Sequence, residues 1–396
     1  MPSPAPDQPG LLIRDPYGYS SAILIVPPVL VEGLSFLDGE KRYIDLKGLL
    51  TRQAGQIVSL DVVEGFVNAL QEQGFLETEE FFRLREASHE RFRISAQRQP
   101  AHAGSAYPLE PEQLRKQFSE YLRPATGKSN PLGVIGIAAP HVSPWGGWKS
   151  YAAAYGCLAS ELADKTFVLL CTSHYGQPEK FGLTRKPFVT PLGTSEVDVP
   201  MVDWIAQRAG DSILMEDYCH SIEHSIEFQC VFLQHALGER CRILPILCGQ
   251  FLESLLTGEA PESDEGVKRF FDVLGELAER QASKLFWILG IDLAHIGRRY
   301  GDAASARAGQ DGMVKVRQKD WERLNRVCAG DGPGFLDLVT PQRDELRWCG
   351  YSPLYTFLKV MPGTRGIVLN YEQWQIDEES VVSFAALEFM KAGYRE

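Results

Sequence analysis

No apolar run in this chain is long enough to cross a bilayer. The longest, Ala22 to Val31, is interrupted by Pro27 and Pro28 and falls far short of the roughly 20 residues that a spanning helix needs. Positive charge is in deficit: 40 Lys and Arg stand against 52 Asp and Glu, a net charge of −12. That balance argues against a nucleic-acid partner and against an anionic membrane surface. The opening MPSPAPDQPG has neither the basic nor the apolar region of a secretory signal, so a cytoplasmic location is expected. Eight cysteines are present, but no two stand in C-x-x-C spacing. A zinc finger or iron–sulfur cluster is therefore disfavoured, and reduced thiols are expected in a chain too long to need staples.

What remains is the composition of an ordinary globular protein, 396 residues with 44% apolar and 23% charged, enough for two or three domains. Residues 1–10 read as a Pro-rich disordered tail. Residues 11–96 read as a small winged-helix-like α+β domain. In it LSFL and RYIDL are expected strands flanking an Asp38-Gly39 hairpin turn, with helices over 45–52, from the Ser59 cap to Gly74, and from about Thr78. Residues 1–96 hold nine basic and fourteen acidic residues, which suits a docking or oligomerisation role, with a homo-oligomer one outcome, better than DNA binding. A weak likeness to the peptide-binding PqqD type goes with it.

Residues 97–396 alternate apolar strands with amphipathic helices. Strands are expected at Gly133–Ala139, Thr166–Cys171, Arg242–Cys248, Leu285–Ile291, Gly366–Asn370 and Val381–Ala385. Helices are expected at Lys149–Leu162 and from about Ser263, where Val267, Phe270, Phe271, Leu274 and Leu277 mark one buried face. Continuous apolar strands separated by helices imply an α/β fold, a layered sheet with helices on both faces.

Polar residues recur just after the strands. GVIGIAA runs into Pro140-His141, TFVLLC into Thr172-Ser173-His174, and LFWILGI into Asp292-Leu293-Ala294-His295. Ligands in open α/β sheets bind beyond the carboxyl ends of the strands, so three of only eight histidines would meet at one rim. A second constellation runs from His220 to Glu227. If it is one helix, His220, His224 and Glu227 share a face, and His-x₃-His is a two-point metal spacing. Ser221 stands where H-E-x-x-H needs its Glu, so the zincin protease motif is absent. Cys349 precedes a helix pattern from Leu354, where unpaired N–H groups would favour its thiolate.

Taken in order, these residues resemble the Memo family, protein B of the AmmeMemoRadiSam system. The resemblance rests on six segments: His102-Ala103-Gly104-Ser105-Ala106-Tyr107-Pro108, Ala139-Pro140-His141, Ser173-His174, Glu223-His224-Ser225-Ile226-Glu227, Asp292 to His295, and Cys349-Gly350 with Pro353. Thr190-Pro191-Leu192-Gly193 and Ser383-Phe384-Ala385-Ala386 match as well, and the likeness covers roughly residues 98–390. It implies an extradiol-dioxygenase-like fold with His141, His174 and Cys349 as metal ligands and with His224, Asp292 and His295 lining the same cleft. The usual A-P-H-A-G-Y and S-H-H read differently here at Val142-Ser143-Pro144 and Tyr175, which alters the pocket wall.

Two imidazoles and a thiolate suit Fe(II) first, with Cu or Zn as alternatives. His295 or His224 would then serve as acid/base near the working pH, with Asp292 orienting it. The leading expectation is a metal-dependent oxidoreductase, with a radical-SAM or AMMECR-type protein as partner. One alternative is a non-catalytic peptide- or protein-binding module using the same rim. Another is a zinc hydrolase built on His220 and His224 with Glu223 or Glu227 as base.

Overall fold

A computed structural model describes residues 7–123, 133–156, 158–238 and 240–391. Most of the expected tail, residues 1–6, and Cys157 lie outside the described residues. The other seven cysteines are free thiols. No helix among the described residues is long and apolar enough to cross a membrane. The chain divides into two compact units, Met1–Ser95 and Ala96–Glu396.

In the first unit, β1 (Leu11–Arg14) and β2 (Ile23–Val26) pair antiparallel. The Asp15 carboxylate closes their connection by accepting from the backbone N–H groups of Tyr17, Tyr19 and Ser20. A short helix at Pro28–Val31 and three longer ones at Tyr43–Ala54, Leu60–Glu72 and Glu79–Ile94 follow. Ser59 caps the second of the longer three through the Val62 N–H, and Gly74 follows it at φ 72°. Leu46, Leu50, Val63, Phe66 and Leu70 fill the core.

The hairpin expected at 34–46 is not there. Leu34–Phe36 lie in a short 3₁₀ turn over Glu32–Phe36, and Tyr43 to Leu46 open a helix. The cause is local. Asp38 accepts from the N–H groups of Glu40 and Lys41, and Asp45 accepts from the Arg42 N–H. Together they turn the chain into a helix start instead of a second strand. The strands on which the winged-helix likeness was built are thus absent, and the two-stranded sheet comes from 11–26.

The second unit is built on a large mixed sheet flanked by helices. Its strands are β3 (Val134–Ala139), β4 (Thr166–Thr172), β5 (Phe181–Leu183), β6 (Phe188–Thr190), β7 (Gly193–Val197), β8 (Ile213–Met215), β9 (Arg242–Cys248), β10 (Leu285–Gly290), β11 (His295–Gly297), β12 (Thr364–Asp377) and β13 (Ser380–Lys391). At the centre β3, β10, β4 and β9 lie side by side and parallel. Antiparallel β13 joins β3, and β5 joins β9.

Period-two alternation divides the central strands between two cores. Val168 and Leu170 face one with Trp287 and Leu289; Phe167 and Leu169 face the other with Phe286 and Ile288. The helix Glu265–Arg280 buries Val267, Phe270, Phe271, Leu274 and Leu277 on the first, and Asp264 caps it through the Val267 N–H. The helix expected at 149–162 runs instead over Pro144–Tyr155, because Pro144 is preset for the first helical position.

A buried carboxylate ties this framework to the site. Asp320 accepts from Trp348 Nε1 at 2.8 Å, Tyr371 OH at 2.7 Å and Ser383 Oγ at 2.6 Å. Burial outweighs these bonds and raises its pKa to about 6. A raised carboxyl pKa stabilises the fold below the unfolded value of 3.8, and the contribution is lost as pH rises through about 6. Asp320→Asn should therefore flatten urea stability between pH 4 and 6.5, where the wild type loses about 3 kcal/mol. Parallel curves for the two proteins would contradict this.

Candidate metal centre

Because β3, β10 and β4 are adjacent and parallel, their carboxyl ends deliver His141, Asp292 and His174 to one rim. One ring nitrogen from each of His141, His174 and His224 lies within 4.8 Å of the other two. Cys349 Sγ stands 3.2 Å from His141 Nε2. Four potential donors from four distant segments thus converge. An ion with ligands at ~2.0–2.3 Å needs only a modest closing of this set, and imidazole with thiolate suits Fe, Cu or Zn.

Backbone and carboxylate partners fix the tautomers. His141 Nδ1 is 3.0 Å from the Gly290 carbonyl, which can only accept, so Nδ1 carries the proton and Nε2 keeps its lone pair. Gly290 is required at this place: a Cβ there would come within 2.8 Å of the Ser225 carbonyl and 2.7 Å of Cys171 Sγ.

Glu223 performs the same task for both other rings. Its carboxylate lies 3.0 Å from His174 Nδ1 and 3.1 Å from His224 Nδ1. It also accepts from the backbone N–H groups of His174, His224 and Ser225. Burial alone would raise its pKa, but the two imidazoles hold it well below the ordinary carboxylate range. His174 responds in kind: burial pulls its pKa down, but the Glu223 charge and the Cys349 side chain win and raise it. Carboxylate–histidine pairs of this kind aim a ring at a metal. Glu223→Gln should weaken metal binding by about 10- to 100-fold, measured by competition with a chelator.

The same Glu223 ends the expected helix over 220–227. Its backbone is extended, at φ −74° and ψ 135°, between helices Cys219–Ile222 and His224–Leu237. A carboxylate at an N-cap satisfies the first N–H groups of the second helix. His220 therefore does not share a face with His224; it is buried with its ring 6.0 Å from that of Phe188. Glu227 also leaves the chemistry. It pairs with Arg98, accepts from Tyr107 OH, and receives the N–H groups of Ala101 and His102. This explains the H-A-G-S-x-Y-P segment as a strap held to the helix by one buried carboxylate. Substituting His220 by Ala should leave metal content unchanged by elemental analysis; a halved content would revive the hydrolase set.

Two expected roles are corrected by geometry. Asp292 accepts from the His141 N–H at 2.9 Å and lies 3.4 Å from His141 Nε2, so it orients His141 and not His295. Burial raises its pKa to about 7. His295 places Nδ1 between the carbonyls of Leu293 and Arg347, and burial together with the His174 charge lowers its pKa to about 4. That is well below the working range expected of an acid/base. At Cys349 burial outweighs the His174 hydrogen bond and raises the thiol pKa, so the helix mouth alone does not yield a thiolate.

The three imidazoles and His295 open onto a cavity of about 400 Å³ walled by Phe228, Tyr300 and Trp374, with Arg299 among its lining residues. His102 lines it too, its ring 5.6 Å from that of His224. Sequence reading missed His102, Arg299, Tyr300 and Trp374 as lining. The helix after His141 accommodates the tryptophan: a Cβ on Gly146 would sit 2.6 Å from the Trp374 ring.

Residues 98–388 match the Memo-like protein family. A MEMO1 family protein of Aquifex aeolicus is 25% identical over 382 residues, covering 96% of this chain and 95% of its own length. Another, of Methanosarcina barkeri, is 28% identical over 296 residues, covering 73% of this chain and 98% of its own. The first therefore extends across the N-terminal unit and the second is shorter. An uncharacterized protein from Escherichia coli K12 of known crystal structure aligns with a TM-score of 0.38 and 9% identity, covering 64% of this chain and 99% of that one; a likeness that low carries no argument. Since the family match spans every segment that contributes to the rim, this chain belongs to the Memo-like protein family.

Proposed function

We propose that this chain is a metal-dependent oxidoreductase whose ion is held by His141, His174 and Cys349, with His224 as a fourth donor. The observation that carries the reading is the convergence of three imidazoles within 4.8 Å and a thiol 3.2 Å from one of them. Fe(II) is the first choice of metal, with Cu or Zn as alternatives. When bound, such an ion supplies redox chemistry and open coordination positions beside the cavity.

The chain's own residues do the rest. Gly290 and Asp292 hold His141, and Glu223 holds His174 and His224 together. Phe228, Tyr300 and Trp374 give the cavity aromatic walls against which a small flat substrate can lie. With Nδ1 donating to two carbonyls, His295 presents a neutral Nε2 that can accept a hydrogen bond from that substrate.

Anaerobic loading with Fe(II), Cu(I) or Zn(II), followed by elemental analysis, tests the reading. About one iron or copper per chain, lost in Cys349→Ser, is expected. Absence of any bound transition metal would end it. The N-terminal unit, acidic by five charges, we propose as a docking surface for a protein partner of the radical-SAM or AMMECR type; a pull-down that survives its deletion would contradict that.

A further inference from the structure

Cys349 is partly exposed although its neighbours Trp348 and Gly350 are buried, and that exposed surface has a definite location. Cys349 lines a second cavity, of about 210 Å³, which shares only His174 with the lining of the cavity over the imidazoles. The second cavity is polar but lacks lysine and arginine: Thr172, Ser173, Gln250 and Ser352 contribute to it, along with the Asp344 carboxylate. Asp344 is already committed to Arg323 and to the Trp348 N–H. Ser173 Oγ is different. It is buried, in a residue only 7% exposed, and beyond the weak Cys219 thiol it meets no hydrogen-bond partner among the described residues. A buried hydroxyl left without a partner is costly unless a ligand or water fills the need. Gly176 keeps the space beside it open, since a Cβ there would approach Ser173 Oγ to 2.5 Å.

We infer that this second cavity is a binding site for a small, uncharged, hydrogen-bonding molecule, which meets Cys349 by a route separate from the cavity over the imidazoles. The size limits the occupant to roughly ten heavy atoms. The lining sets its class: hydroxyl and amide groups can both donate and accept, while its charged groups are already paired, Asp344 with Arg323 and His174 with Glu223, so an ion finds no free counter-charge. Gln250 is exposed and stands at the mouth. The inference does not depend on which metal, if any, the imidazoles hold.

Alkylation of the full-length chain after dialysis against a chelator tests it, with modification of Cys349 located by peptide mass spectrometry and Cys349→Ser as the blank. Neutral iodoacetamide should modify Cys349 at least tenfold faster than anionic iodoacetate, after both rates are normalised to free cysteine. Gln250→Trp should slow iodoacetamide at least fivefold, whereas Arg299→Trp, across the other cavity, should leave its rate within twofold. Each variant is first checked for unchanged urea unfolding. Protection by Arg299→Trp but not by Gln250→Trp would show that the thiol is reached past the imidazoles and overturn the inference. Equal rates in all three proteins would show access by fluctuation and overturn it too, as would the absence of charge preference.

Discussion

His141→Ala is expected to reduce bound transition metal from about one ion per chain to near the background, a weakening of about 100-fold or more. The size of the effect follows from position. His141 is 1% exposed, its Nδ1 proton is fixed on Gly290, and its Nε2 stands 3.2 Å from Cys349 Sγ. Its loss removes one donor and also the wall against which the thiol is set. Far-UV circular dichroism should be unchanged, because the backbone N–H that Asp292 accepts survives the substitution. Elemental analysis after anaerobic loading, beside an alanine variant at His220, checks it. Retention of metal in His141→Ala with loss in His220→Ala would reverse the assignment of the site.

The largest effect on stability is expected from Arg98→Met, a loss of roughly 3–5 kcal/mol. Arg98 is 1% exposed and its guanidinium makes three kinds of contact. It donates to the carbonyls of His220 at 2.8 Å and Glu223 at 2.9 Å, and it pairs with Glu227. Those carbonyls flank the break between the two helices, so the side chain satisfies the backbone that Glu223 interrupts. Without it a buried carboxylate is left uncompensated, and burial favours its protonation. Urea unfolding measures the loss. The double variant Arg98→Met with Glu227→Leu should recover part of it, because a pair removed whole costs less than a pair broken. A loss below about 1 kcal/mol in the single variant would mean that the pair is not what holds the strap.

Much of this arrangement was legible in the sequence. Apolar strands ending in His141, His174 and the Asp292–His295 stretch give the sheet and the rim together, since the strand direction is common to all three. The heptad-like face from Val267 to Leu277 gives its helix directly. Where reading failed, a local polar contact overrode the pattern. Asp38 and Asp45 turned an apparent hairpin into a helix start. Glu223, read as a candidate base on one continuous helix, broke that helix by capping its own successor. Its pairing with two histidines, one of them 49 residues away, leaves no periodic trace. Arg98, with partners more than 120 residues distant, is equally invisible. The direction of proton affinity at His295 was also beyond reach, because burial in a finished cavity decides it.

X-ray absorption at the zinc edge, on full-length protein loaded anaerobically with Zn(II), tests the convergence of donors most directly. The account predicts nitrogen neighbours at about 2.0–2.1 Å together with one sulfur at about 2.3 Å, the sulfur vanishing in Cys349→Ser. A shell of oxygen or nitrogen only, identical in the wild type and in Cys349→Ser, would contradict it.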